Sequence, residues 1–130
     1  MKLSASVTLS NFVQVACLPT VQSSDYPKDQ IDIWTAGWGD TSENGTFSHI
    51  LNNIKLTIYH DNKKCEKTFS DIPKYWDRQI CVGDYNGGRD TCDDDGGGAL
   101  FIKDNIGDKT KNVIAALVGY GLGCARPGKF

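Results

Sequence analysis

Five cysteines, at positions 17, 65, 81, 92 and 124, restrict what this 130-residue chain can fold into. Several cysteines in a small chain point to disulfides. An odd count leaves one thiol over, or places its partner outside the sequence. The gaps are long and irregular, with no pair two to four residues apart, so zinc is disfavoured and no metal site is expected. The spacing leaves the pairing open. The cysteine usage is of the secreted kind, yet no export signal accompanies it. Ser4, Ser6, Thr8, Ser10, Asn11 and Gln14 interrupt the apolar residues after Met1-Lys2. Gln14 also stands where a lipoprotein cleavage site ending at Cys17 needs an aliphatic residue. This mismatch predicts an incomplete sequence.

Length and charge exclude several functions. The chain is long enough for one domain and too short for two ordinary ones. A net charge of −2 argues against a basic face for nucleic acid. The longest apolar run, Val113 to Val118, is far short of the roughly 18–20 residues of a membrane span. Neither nucleic acid nor membrane is an expected partner.

Most of the remaining pattern is that of short strands. Val7-Thr8-Leu9 and Val13 to Leu18 read as short extended pieces, and residues 20–30 as a connecting loop. Ile31 to Trp38 reads as a strand. Ile54, Leu56 and Ile58 alternate with Lys55, Thr57 and Tyr59, the cleanest half-buried strand of the chain. Asn44-Gly45 marks a turn between these two, and Asn44-Gly45-Thr46 is a glycosylation acceptor sequence. Asp61 to Thr68 suits a short helix capped by Asp61, with Cys65 on its inner face. Ile80-Cys81-Val82 is a further strand. Leu100-Phe101-Ile102 and Val113 to Val118 flank a polar loop, Lys103 to Asn112, and read as a hairpin buried on both faces. Short strands with Gly-rich turns predict an all-β sandwich or barrel.

The densest chemical feature is Arg89 to Leu100, RDTCDDDGGGAL. Four carboxylates lie within six residues, ahead of three glycines. A calcium loop fits poorly, because Thr91 breaks the alternation of ligands and no Glu closes the loop. His49 and His60 are isolated and read as surface or strand-edge residues.

This segment resembles the nucleophile loop of the trypsin and chymotrypsin family of serine endopeptidases, Asp-Ser-Cys-Gln-Gly-Asp-Ser-Gly-Gly-Pro-Leu. Other segments agree, in the right order. Val15-Ala16-Cys17-Leu18-Pro19 resembles the crossing between the family's two barrels. Thr35-Ala36-Gly37-Trp38-Gly39 resembles the first strand of its second barrel. Ile80-Cys81-Val82-Gly83 resembles the strand before the specificity pocket, and Gly119 to Gly128 the substrate-binding strand and pocket rim. The resemblance covers essentially the whole chain. It implies an antiparallel Greek-key barrel, mainly the second barrel, truncated at both ends. Residues 1–30 would close the first barrel and cross over, and residues 31–130 would form the incomplete second barrel. The family unit usually exceeds roughly 200 residues, within the size range of all-β units. The resemblance also implies disulfides Cys65–Cys81 and Cys92–Cys124, with Cys17 unpaired. A third family disulfide falls on Ile33 and Ile102, both apolar here.

The departures concern the reacting centre. Gly96 occupies the nucleophile position, and no hydroxyl means no acyl-enzyme. Asp94 occupies the oxyanion-loop glycine position, where its carboxylate adds negative charge beside the site. Gly119 replaces the serine before the substrate-binding aromatic, which is Tyr120 here. Met1 falls just after the family's catalytic aspartate, and the catalytic histidine lies earlier still. The family also buries an N-terminal amine against the aspartate matched by Asp95. By resemblance Asp90 lies at the base of the specificity pocket and selects Lys or Arg, while Tyr120 stacks on a peptide. Gly119 and Gly121 pair with the peptide main chain. The plain alternatives are solvated carboxylates for Asp90 and Asp95 and a packing role for Tyr120.

Three functions follow as expectations. One is a secreted protease homologue without activity that binds proteases, inhibitors or peptides and uses no cofactor. The second is part of an active Lys/Arg-specific endopeptidase. The third is an extracellular structural or ligand-binding β-domain.

Overall fold

The computed structural model describes residues 2–20, 26–60, 65 and 75–130. Its five strands are β1 (Asp32–Gly37), β2 (Asn52–Tyr59), β3 (Cys81–Gly83), β4 (Ala99–Ile106) and β5 (Lys109–Leu117). All neighbours are antiparallel, in the order β3-β2-β1-β4-β5. Strands β1, β2 and β3 follow one another across the sheet. The chain then returns by a long connection to place β4 beside β1. That order defines a Greek key, to which β5 adds a hairpin. The molecule is therefore all-β, with the antiparallel topology expected of it.

Alternation builds the core. Ile33 on β1, Leu56 and Ile58 on β2, and Leu100 and Ile102 on β4 form one buried cluster. Ile33, Ile58 and Val113 are completely enclosed. Each such side chain stabilises the fold by about 1.5–3 kcal/mol relative to exposure. Trp34 pairs with Phe101 and Thr35 with Leu100, so the same register carries Ile33 and Ile102 to adjacent places in this cluster. Tyr59, Cys65, Cys81 and Phe130 form a second cluster, with Trp76 against it.

Several expectations need correction. Lys103 to Asn112 is not a loop. The ladder continues through Asp104–Lys111 and Asn105–Thr110 to Ile106–Lys109, leaving only Gly107 and Asp108 to turn the chain. Gly107 takes φ 60°, which suits the first position of a tight hairpin turn. Main-chain pairing holds this part of the hairpin, where Ile106 is the one apolar side chain on the two strands. It is also not buried on both faces: β4 alternates, and the first four residues of β5 are exposed. The segments Val7–Leu9 and Val13–Leu18 form no strand. They carry only isolated bridges, Ser10 with Val13 and Cys17 with Val113, and Val7, Leu9, Phe12, Val15 and Leu18 are exposed. The expected helix at 61–68 lies outside the described residues, apart from Cys65.

Candidate functional site

The site is a backbone construction. Two consecutive tight turns shape residues 92–98. Asp95 N donates to Cys92 O at 3.1 Å, and Gly98 N donates to Asp95 O at 3.0 Å. The third residue of each turn has positive φ: Asp94 at 69° and Gly97 at 81°. This is where a type II turn wants glycine. Asp94 therefore holds, with a side chain, a conformation that ordinarily selects glycine. Gly96 is the second residue of its turn and needs no such freedom. A Cβ added there would meet nothing within 4 Å. Beyond the turns, Gly97 N donates to Val118 O and Val118 N donates to Gly98 O, both at 2.9 Å. The loop is thus an extension of the β4–β5 ladder.

Asp95 is turned inward. Its carboxylate accepts from Gly39 N at 3.0 Å and Cys92 N at 3.1 Å. Asp40 N donates to Asp93 O at 2.9 Å, which fixes the two loops in register. The close approach explains the glycines of Gly37-Trp38-Gly39. A Cβ at Gly37 would lie 2.0 Å from Asp95 Oδ1, and one at Gly39 2.6 Å from it. Asp90 is half-buried and accepts from Thr91 N at 2.9 Å and Ala125 N at 3.0 Å. Burial holds its carboxyl above the ordinary aspartate value, against those two donors, which pull it down. Neither carboxylate is merely solvated, so that alternative is set aside.

Disulfides frame both ends of the site. Cys92 joins Cys124 with Cα atoms 5.3 Å apart, and Cys65 joins Cys81 at 6.1 Å. Cys17 is free and half-buried; its carbonyl accepts from Ile114 N at 2.9 Å. Cys92, Asp93 and Cys124 cluster closely enough for a metal ion, but the disulfide occupies both sulfurs.

Two cavities among the described residues bear on the site. One of about 300 Å³ holds Asp90 and Asp95 between the start of β2, the end of β1 and the Cys92–Cys124 bridge. The other, about 800 Å³, is lined by Gly119, Tyr120, Trp76, Tyr59 and Phe130. Tyr120 Oη accepts from Gln79 Nε2 at 3.1 Å. The structure thus brings Asp90 and Asp95 together and places Gly119 and Tyr120 along a different cavity. Gly121 is exposed beside Gly123 and Phe130 and lines neither cavity. Asn44 is exposed in a turn at φ 56°, a geometry open to glycosylation. Neither histidine lines the Asp90 cavity. His49 packs edge-on against Phe47, and His60 lines the larger cavity.

One feature escapes sequence reasoning. Arg126 grips Glu43 through both carboxylate oxygens, with Nε 2.7 Å from Oε2. The guanidinium holds the Glu43 carboxyl below its ordinary value, and the Cys124 N–H adds to this. Gly123 makes room for the pair: a Cβ there would lie 2.5 Å from Arg126 Nε and 2.8 Å from Glu43 Oε2. The partners are 83 residues apart, so no local spacing announces them.

The trypsin family's sequence model matches residues 1–130. The chain belongs to the trypsin family. It is 32% identical over 128 residues to trypsin-1 of Astacus astacus, covering 98% of this chain and 50% of that protein. It is 34% identical over 109 residues to trypsin eta of Drosophila melanogaster, covering 81% and 36%. It is 30% identical over 129 residues to transmembrane protease serine 11G of Rattus norvegicus, covering 99% and 30%. The chain therefore spans half or less of the length of these relatives. Among the described residues, no helix is long and apolar enough to cross a membrane.

Proposed function

We propose that this trypsin-family chain does not hydrolyse peptides and acts by binding a peptide or protein through the Asp90 cavity. Gly96 carries the first half of this reading. The loop offers open space where a nucleophile's side chain would stand, and the residue there supplies no hydroxyl. Asp94 adds a carboxylate on the neighbouring turn. Asp90 supports the second half. A half-buried carboxylate in a cavity that also holds Asp95 and Asp40 favours a cationic group such as a lysine or arginine side chain. Tyr120 and Gly119, along the larger cavity, would contact other parts of the same partner. The two disulfides favour an oxidising, extracellular setting. We assign residues 1–30 to the end of a first barrel and the connection between barrels, and residues 31–130 to a second barrel. The chain is expected to give no covalent adduct with a serine-directed phosphonofluoridate and no turnover of arginine esters. An adduct on residues 89–100 would overturn the reading.

Asp90 itself favours a second reading, part of an active Lys/Arg-specific endopeptidase. A transcript of the same gene carrying serine at the position of Gly96 would favour that reading over ours.

A further inference from the structure

Two loops contribute to the lining of the Asp90 cavity, one through Thr41 and Ser42 and the other through Cys124 and Ala125. Glu43 follows the first pair in the chain and Arg126 the second, so the Glu43–Arg126 ion pair ties these two loops together. The second loop does more than form a wall. Its Ala125 N–H is donated to Asp90 Oδ2 at 3.0 Å, and Ala125 O accepts from Gly88 N at 3.0 Å. The other Asp90 oxygen is taken by Thr91 N. A ligand cation entering the cavity therefore shares Asp90 Oδ2 with a backbone donor next to Arg126, whose partial positive charge opposes it.

We propose that the Glu43–Arg126 pair is a latch that keeps the Ala125 N–H on Asp90 and so restrains cation binding at that carboxylate. This rests on the binding role of Asp90 given above. The bidentate fork gives the latch direction as well as attraction. The missing side chain at Gly123 leaves the space that the pair occupies. Arg89 lines the same cavity, but its guanidinium is paired with Asp84, with Nε 2.9 Å from Oδ2.

Two readouts on the 130-residue chain test this, with Glu43→Gln, Arg126→Gln and the double variant. Amide hydrogen exchange at Ala125 reports the latch without any ligand. Each single variant is expected to exchange about tenfold faster there, and the double variant no faster than either single. Titration with N-acetyl-arginine amide reports the cavity. The variants are expected to bind it at least about fivefold more tightly than the parent chain. Unchanged exchange at Ala125 in both single variants overturns the latch, whatever the ligand does. Single effects that multiply in the double variant also overturn it, because the residues then act separately. Faster exchange with no binding by any variant overturns the binding role of Asp90, and with it the restraint.

Discussion

At the scale of single residues, the site is governed by which positions need glycine and which do not. Asp94 sits at φ 69° and Gly96 does not share that demand. Asp94→Val should destabilise the chain by about 1–2 kcal/mol, because a β-branched residue is poorly tolerated in the left-handed region. Asp94→Gly should stay within about 0.5 kcal/mol, since relief of strain offsets the added freedom of the unfolded chain. Gly96→Ser should also be near neutral, within about 0.5 kcal/mol. Urea unfolding of the three variants checks this ordering. Gly37→Ala should be far worse, because its methyl group would drive Asp95 off Gly39.

Asp90 gives a pH dependence whose sign is the reverse of most aspartates. Its folded pKa is raised, by burial, above the ordinary 3.8. Between those two values the folded chain binds more protons than the unfolded chain. Its contribution to stability therefore falls as pH rises from the unfolded value through the folded one, and stays low above. Unfolding measured from about pH 3 to 6 should show Asp90→Asn gaining on the parent chain as pH rises. A constant difference across that range would contradict the assignment.

At the scale of elements, legibility followed the physics of each segment. Strand β2 was plain because Ile54, Leu56 and Ile58 face the core and Lys55 and Thr57 the opposite side, although Tyr59 is buried in the second cluster. The far half of the β4–β5 hairpin was hidden because Lys103 to Asn112 carries polar side chains on both faces. Backbone pairing and Gly107 make that hairpin, and no hydrophobic period records them. Val7 to Leu18 misled in the opposite way, since apart from the Cys17–Val113 bridge its residues pair with no strand among the described residues. Gly107→Val should cost about 1 kcal/mol or more by forbidding the positive φ of the turn. Replacing Cys92 and Cys124 together by alanine should cost about 3–4 kcal/mol by loop-closure entropy, and would loosen the cavity wall first. Ile33→Ala should cost about 2–5 kcal/mol, the range for emptying an enclosed aliphatic site.

At the scale of the whole molecule, a trypsin-family chain holds a carboxylate-lined cavity, and we propose that Gly96 stands in place of the nucleophile. The family and the inner strands were legible in ordered motifs. The Glu43–Arg126 clasp and the docking of Asp95 on Gly39 were not, because both depend on distant loops meeting. The most direct test follows an isotope-labelled sample during titration with a peptide containing one internal arginine. Amide shifts are expected at residues 90–95 and Ala125, with the peptide still intact by mass after prolonged incubation. Cleavage after the arginine by the purified chain, or shifts confined to surfaces away from Asp90, would contradict the account.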